Sequence, residues 1–358
     1  MSPRRYLWTD AFATCNLLEL YKQTGKQKFK EEAVALAEQV HYTLGKHRED
    51  DQEGRKGWLS GLDEETGRLH PTAGGLRIGK KWPERLLQEP HDDDEEWDRD
   101  GQYYHYLTKW MQALIRLSER TGDPRYLTWS IEMARRVHGA FTYSRGRSRR
   151  MYWKKSVDLS RPQVPSMGQH DPLDGYLTYN QLQVAARDDT ALREQICDLY
   201  YIVSEQDLDT TDPLGIGGLL CDSLRAFQIY TSTNSEQVME VTTKVTKAAL
   251  RGLTGYNPRR LGAPAEQRLA FREFGLSIGL QAVVQLKTLL LDKQNAASLE
   301  LTREVDRILE YRSLGDRINQ FWSEEHSRKA STWAEHLDIN MAMWATSLLP
   351  QGYLGSDG

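Results

Sequence analysis

The stretch EWDRDGQYYHYLTKW, Glu96 to Trp110, gathers three acids, one histidine, three tyrosines and two tryptophans. Carboxylates at Asp98 and Asp100 suit acid–base work, and His105 is the residue type that exchanges protons near neutral pH. Trp97 and Tyr104 offer flat faces with polar edges, suited to a ring-shaped polar ligand. If a helix begins here, the four-residue spacing of Trp97, Gly101 and His105 places all three on one face. Gln102 stands in the same turn. For Asp98 or Asp100 alone, helix N-capping is the plain alternative, worth about 0.5–2 kcal/mol.

Three further clusters have the same flavour. GQHDPLDG (169–175 with its leading glycine at 168) carries His170, Asp171 and Asp174, with Asp171 also readable as the cap of a helix opening at Pro172. In FREFGLSIG, Glu273 stands between Phe271 and Phe274; burial there raises a carboxyl pKa and suits a general acid, unless Arg272 neutralises it. In WAEHLDIN, His336 and Asn340 are four apart, as a site pair or as a satisfied core histidine. DDDEE (Asp92–Glu96) has no second acidic motif to complete a magnesium site and reads as a solvated loop. GGLRIGK (Gly74–Lys80) is similar to a phosphate-binding loop but lacks the Gly-Lys-Ser/Thr ending and the preceding strand. No metal and no cofactor are therefore expected.

Composition narrows the partner. The 358 residues carry 47 basic and 51 acidic side chains, a net charge of −4, which makes no electrostatic case for nucleic acid or an anionic membrane. The opening MSPRRYLWTDAF lacks the apolar core of an export signal, and no membrane-spanning run is expected. Cys15, Cys197 and Cys221 form no CxxC pair and are expected as buried thiols in a reducing compartment, the cytoplasm. Tyr and Trp together number 27 against 7 Phe. Rings with a polar edge on that scale suit a surface wet on one side.

The elements that must hold these groups are helical hairpins. Apolar residues at helical spacing flank tight turns at YKQTGKQKF and SERTGDPRY, where Gly122 suits a helix C-cap. The pattern recurs at Tyr176–Ala186 with Leu192–Val203, at Leu219–Tyr230 with Val238–Leu250, and at Leu269–Leu291 with Leu299–Phe321 across DKQNAAS. Trp333–Leu348 follows unpaired. Turns inside hairpins are short, whereas connections between them, such as 47–97 and 141–170, are long. Alternating helix direction sends those long connections to one end, where function is expected. Two of them, Trp58–Lys80 and Arg150–Leu159, are expected to form β-hairpins over the rim. The whole chain, 1–358, is expected as one all-α domain.

This hairpin grammar, with LYKQTGKQKF and LSERTGDPRY as its turns and aromatic and acidic clusters opening the first helices, resembles the (α/α)6 toroid of six-hairpin glycosidases and the N-acylglucosamine 2-epimerase group. The resemblance implies a sugar site at the N-terminal ends of the inner helices. Those ends present Trp8 and Asp10; Trp97, Asp98, Asp100, Gln102 and His105; His170, Asp171 and Asp174; Asp222; Arg272 and Glu273; and Trp333, Glu335 and His336, with Asn340 below. The chain departs from the pattern after Pro350, where no sixth outer helix fits, so the outer ring is expected to be incomplete.

Three functions follow as alternatives. A glycoside hydrolase would use Glu273 as acid and Asp100 as base or its positioner, with Trp58, Trp97, Trp333 and Tyr104 stacking on sugar. An epimerase or isomerase would pair two of His105, His170 and His336 across a free sugar. A non-catalytic toroid would bind a glycan or a protein. The first is preferred, with a small-molecule or oligosaccharide substrate.

Overall fold

In a computed structural model, the described residues are 5–146, 148–164, 166–292 and 299–355. They fall into two compact units, Met1–Gln206 and Asp207–Gly358.

The first unit contains α1 (Leu7–Thr24), α2 (Gln27–Leu44), α3 (Glu64–Leu69), α4 (Asp93–Asp98), β1 (Gln102–Tyr103), α5 (Tyr104–Thr121), α6 (Arg125–Phe141), β2 (Thr142–Arg145), β3 (Ser148–Met151), β4 (Lys154–Lys155), α7 (Asp171–Ala186) and α8 (Arg193–Glu205). Its three hairpins are α1–α2, α5–α6 and α7–α8. The turns are where the glycines placed them: Gly25 at φ 67° returns its N–H to Tyr21, and Gly122 at φ 73° to Ser118. Only a left-handed residue closes a helix this way cheaply.

The rim differs from expectation. The helix carrying His105 starts at Tyr104, because Gln102 and Tyr103 are taken into antiparallel pairing with Lys155 and Lys154. Trp97 closes the separate short helix α4, so Trp97, Gly101 and His105 share no helical face. The rim β-hairpin is β2–β3, pairing Thr142 with Met151 through Arg145 with Ser148, one segment before the expected Arg150–Leu159. Among the described residues, Trp58–Lys80 contains a single bridge from Trp58 to Lys46 and the helix α3, and no hairpin.

The second unit contains α9 (Pro213–Thr233), α10 (Glu236–Gly255), α11 (Ala270–Asp292), α12 (Leu299–Leu309), α13 (Ser313–Ser323), α14 (Ser331–Glu335), α15 (Leu337–Leu348) and α16 (Pro350–Leu354). The expected helix Leu299–Phe321 is broken into α12 and α13, and the expected Trp333–Leu348 is interrupted at His336 (φ −119°, ψ 32°). The DKQNAAS turn lies largely outside the described residues. By length and composition α11 is apolar enough to cross a membrane, which the sequence reading missed; 61% of that window is buried, as in a core helix. Its Gly275 and Gly279 meet Gly217 of α9 backbone to backbone, with no room for a Cβ at Gly217 or Gly279, while a Cβ at Gly275 would meet the Leu214 side chain.

Candidate functional site

In the first unit, His105 and Asp171 open α5 and α7, the first helices of successive hairpins. The His105 Nδ1 lies 3.6 Å from Asp171 Oδ1. Asp171 Oδ2 is buried and has no hydrogen-bond partner among the described residues. One turn along each helix the pattern repeats with stronger charge: Lys109, four residues after His105, donates from Nζ to Asp174 Oδ1 at 2.6 Å. Helical spacing thus stacks a histidine–carboxylate pair on a lysine–carboxylate pair. Lys109 was missed in the sequence, although a lone lysine on the α5 face of His105 was its visible signal.

Burial controls the protons here. It pushes the Asp171 carboxyl well above the usual range, helped by the charge of Asp174 and opposed by Lys109. It pushes the His105 imidazole down to about 4, against the pull of Asp174. Both shifts run toward the neutral forms of the two groups.

Rings wall the pair. His105 is edge-on to Trp8 at 5.7 Å and to Tyr106 at 4.7 Å, and lies parallel to Tyr103 at 6.0 Å. Tyr103 stacks on Trp153, and Trp97, 56% exposed, tilts against both. Asp10 is buried beside Arg5 at 3.5 Å and accepts from the Tyr6 N–H. His170 occupies the N-cap position of α7, its carbonyl accepting from Asp174 N.

Most of the other expected site residues in this unit spend their polar groups on neighbouring backbone and side chains. Asp100 is fully buried; its Oδ1 accepts from Gly79 N and Gly101 N at 3.0 Å, and its Oδ2 from Arg77 at 2.5 Å and Arg48 at 3.5 Å. Gln102, also fully buried, spends its amide on Leu76 N and the carbonyls of Gly74 and Val157. Tyr104 donates to Tyr179. Trp58 is 3% exposed and bonds Glu64, its ring covering Gly67. Asp98 is exposed at the end of α4.

In the second unit Glu273 accepts from Arg268 at both oxygens, at 2.8 and 2.6 Å, and from Trp322 Nε1 at 2.7 Å. Its neutralising arginine is Arg268, not Arg272, which pairs with Asp212 at 2.5 Å. Asn340 joins the Phe271 N–H to the Trp333 carbonyl, and Trp333 is buried against Trp322 and Trp344. His336 is exposed beside the Phe271 ring. Among the described residues no three His, Cys, Asp or Glu side chains are placed to hold a metal ion.

No protein-family model matches the sequence, and no curated protein matches it. Solved structures do match. The GH76 α-mannanase of Bacteroides thetaiotaomicron superposes over 98% of this chain and 88% of its own, at TM-score 0.55 and 10% identity. The fold is the (α/α)6 toroid. The cellobiose 2-epimerase of Spirochaeta thermophila shares this toroid over 95% of the present chain and 86% of its own, at TM-score 0.53 and 11% identity. So does an inactive variant of the α-1,6-mannanase of Salegentibacter sp. HEL1_6, with two successive aspartates changed to asparagine, in complex with α-1,6-mannotriose: 97% and 90% coverage, TM-score 0.50, 10% identity. In the present toroid, successive aspartates occur at Asp50–Asp51, Asp92–Asp94 and Asp188–Asp189, none of them opening a hairpin's first helix.

Proposed function

We propose that this chain is a carbohydrate-active enzyme whose proton-transfer centre is His105 with Asp171. The observation that carries the reading is the contact of the half-buried His105 with the buried Asp171, whose second carboxylate oxygen has no hydrogen-bond partner among the described residues, walled by Trp8, Tyr103 and Tyr106. Glycoside hydrolysis is the preferred reaction. A carboxyl kept protonated by burial gives its proton to the departing glycosidic oxygen as the bond to the sugar breaks, while a second carboxylate faces the developing positive charge or activates water. Asp171 fits the first role, and Asp174, salt-bridged to Lys109, fits the second. Trp97 and Trp153 supply the surface on which a sugar ring stacks. In place of the Asp100 and Glu273 pair favoured from sequence, both carboxylates then come from one turn of α7.

Epimerisation is the second reading, favoured by one observation: His105 stands 3.6 Å from a carboxylate that can orient it, as a base that removes a proton beside a sugar carbonyl requires. Incubation with α-1,6-linked mannose oligosaccharides and, separately, with free mannose and cellobiose in D2O separates the two. Hydrolysis yields reducing ends; epimerisation or isomerisation places deuterium on the free sugar. Asp171→Asn should lower either rate by about 10²–10⁴-fold, the range for loss of a positioned acid–base group. Full turnover by the folded Asp171→Asn variant would overturn the assignment.

A further inference from the structure

The GGLRIGK segment does bind an anion, and the anion is the chain's own. Gly79 N, and at longer range Lys80 N, point at Asp100 Oδ1, with Arg77 and Arg48 on the other oxygen. Successive N–H groups converging on an oxygen are the geometry of an anion nest. Outward from this point lies an open cleft of about 890 Å³, lined by the cations Arg5, Lys46, Arg48, Arg77, Lys80 and Lys81 against two acids, Glu49 and Asp50. Several of these cations are already engaged. Arg48 pairs with Asp50 and Asp100, Lys46 with Glu64, and Arg5 with Asp10. Lys81 is exposed and, among the described residues, has no carboxylate within salt-bridge distance; its ammonium lies near the Trp82 ring. Arg5 Nε is buried without a hydrogen-bond partner among the described residues.

A run of ring contacts links Lys80, which lines the cleft, to the proton-transfer pair. The Lys80 ammonium lies 5.6 Å from the Tyr6 ring and 5.2 Å from Trp97. The Tyr6 hydroxyl is 2.5 Å from that of Tyr106, and Tyr106 stands edge-on to His105. The lysines of the cleft are thus separated from His105 by two rings, Tyr6 and Tyr106.

We propose that this cleft is an anion-binding subsite and that the substrate is an acidic carbohydrate, bearing a carboxylate or a phosphate on the residue next to the one that reacts. The inference rests on the carbohydrate reading above and adds the charge of the substrate to it. With six cations against two acids in its lining, the cleft offers an acidic sugar charge-assisted hydrogen bonds that a neutral one cannot make. The aspartate nest fixes Arg77 and Arg48 in place, so the cleft is organised before any ligand arrives.

Calorimetric titration of the full chain with glucose, glucuronate, glucose 6-phosphate and inorganic phosphate tests this without requiring turnover. Glucuronate or glucose 6-phosphate should bind at least tenfold more tightly than glucose, with the advantage shrinking as salt is raised; whichever of the two binds better identifies the anion. The Lys80→Gln/Lys81→Gln variant should lose that advantage while keeping its unfolding temperature. His105→Ala should retain it, which separates failure of the subsite from failure of the catalytic assignment. Equal affinity for glucose and both acids, or an advantage that survives in the double variant, would overturn the proposal.

Discussion

Arg77 Nη1 lies 2.5 Å from Asp100 Oδ2, with the two side chains 6% and 0% exposed. The same guanidinium donates to the carbonyls of Lys46 and Thr43, so one side chain ties the end of α2 to the segment before β1. Removing one partner leaves a buried charge uncompensated. Arg77→Met and Asp100→Ala should each cost about 3–5 kcal/mol in denaturant unfolding. The Arg77→Met/Asp100→Ala double variant should cost less than the sum of the singles, because neither charge is then stranded.

Gly168 lies directly under the Asp171 carboxylate, and a Cβ there would overlap both oxygens. Gly168→Ala should displace Asp171 from His105, costing about 1–3 kcal/mol of stability as an overpacking change. The larger effect should be on kcat, with KM for the same sugar little altered. Unchanged kcat in a folded Gly168→Ala variant would mean that Asp171 does not act from this position.

His41 is 4% exposed and accepts the Trp110 indole N–H at Nε2, 3.0 Å away. Burial lowers its pKa from the usual 6.5 to about 3. Between those values the unfolded chain takes up a proton that the folded chain refuses. Stability is therefore full above pH 6.5 and falls as pH drops toward 3, by up to about 1.4 kcal/mol per pH unit from this residue. His41→Gln keeps an acceptor for Trp110 and removes the titration. Comparing denaturation midpoints of wild type and variant at pH 7 and pH 4.5 should show a smaller acid loss in the variant.

Cys15 and Cys221 are buried, while Cys197 is exposed, contrary to the expectation of three buried thiols. Burial also pushes the Cys15 thiol up to about 12. A native-state titration with a chromogenic disulfide should count one fast thiol, and Cys197→Ser should abolish the fast phase; two or three fast thiols would contradict this packing.

The hairpins were legible because each is local: an apolar period, a left-handed turn residue, then the period again. The rim was not, because its determinants are distant in sequence. Gln102 and Tyr103 leave the helical pattern to pair with Lys155 and Lys154, and Asp100 is claimed by Arg77, 23 residues earlier. Glu273 shows the same limit at short range. Two arginines flank it, and nothing in the letters says that Arg268 turns inward while Arg272 reaches Asp212. His105, Asp171 and Asp174 could each be named from sequence as polar groups opening first helices, but their pairing, and the part of Lys109, depends on how α5 and α7 are rotated against each other.

The seam of α9 and α11 has a practical consequence. Gly217 presses its main chain on that of Gly275 and Gly279, and none of the three has a side chain to delete. Alanine scanning, which usually reads importance from what is lost by truncation, would here act by addition. Each glycine-to-alanine change inserts a methyl where two helices already touch, and the scan would record the unit's most demanding positions only where it made a side chain larger.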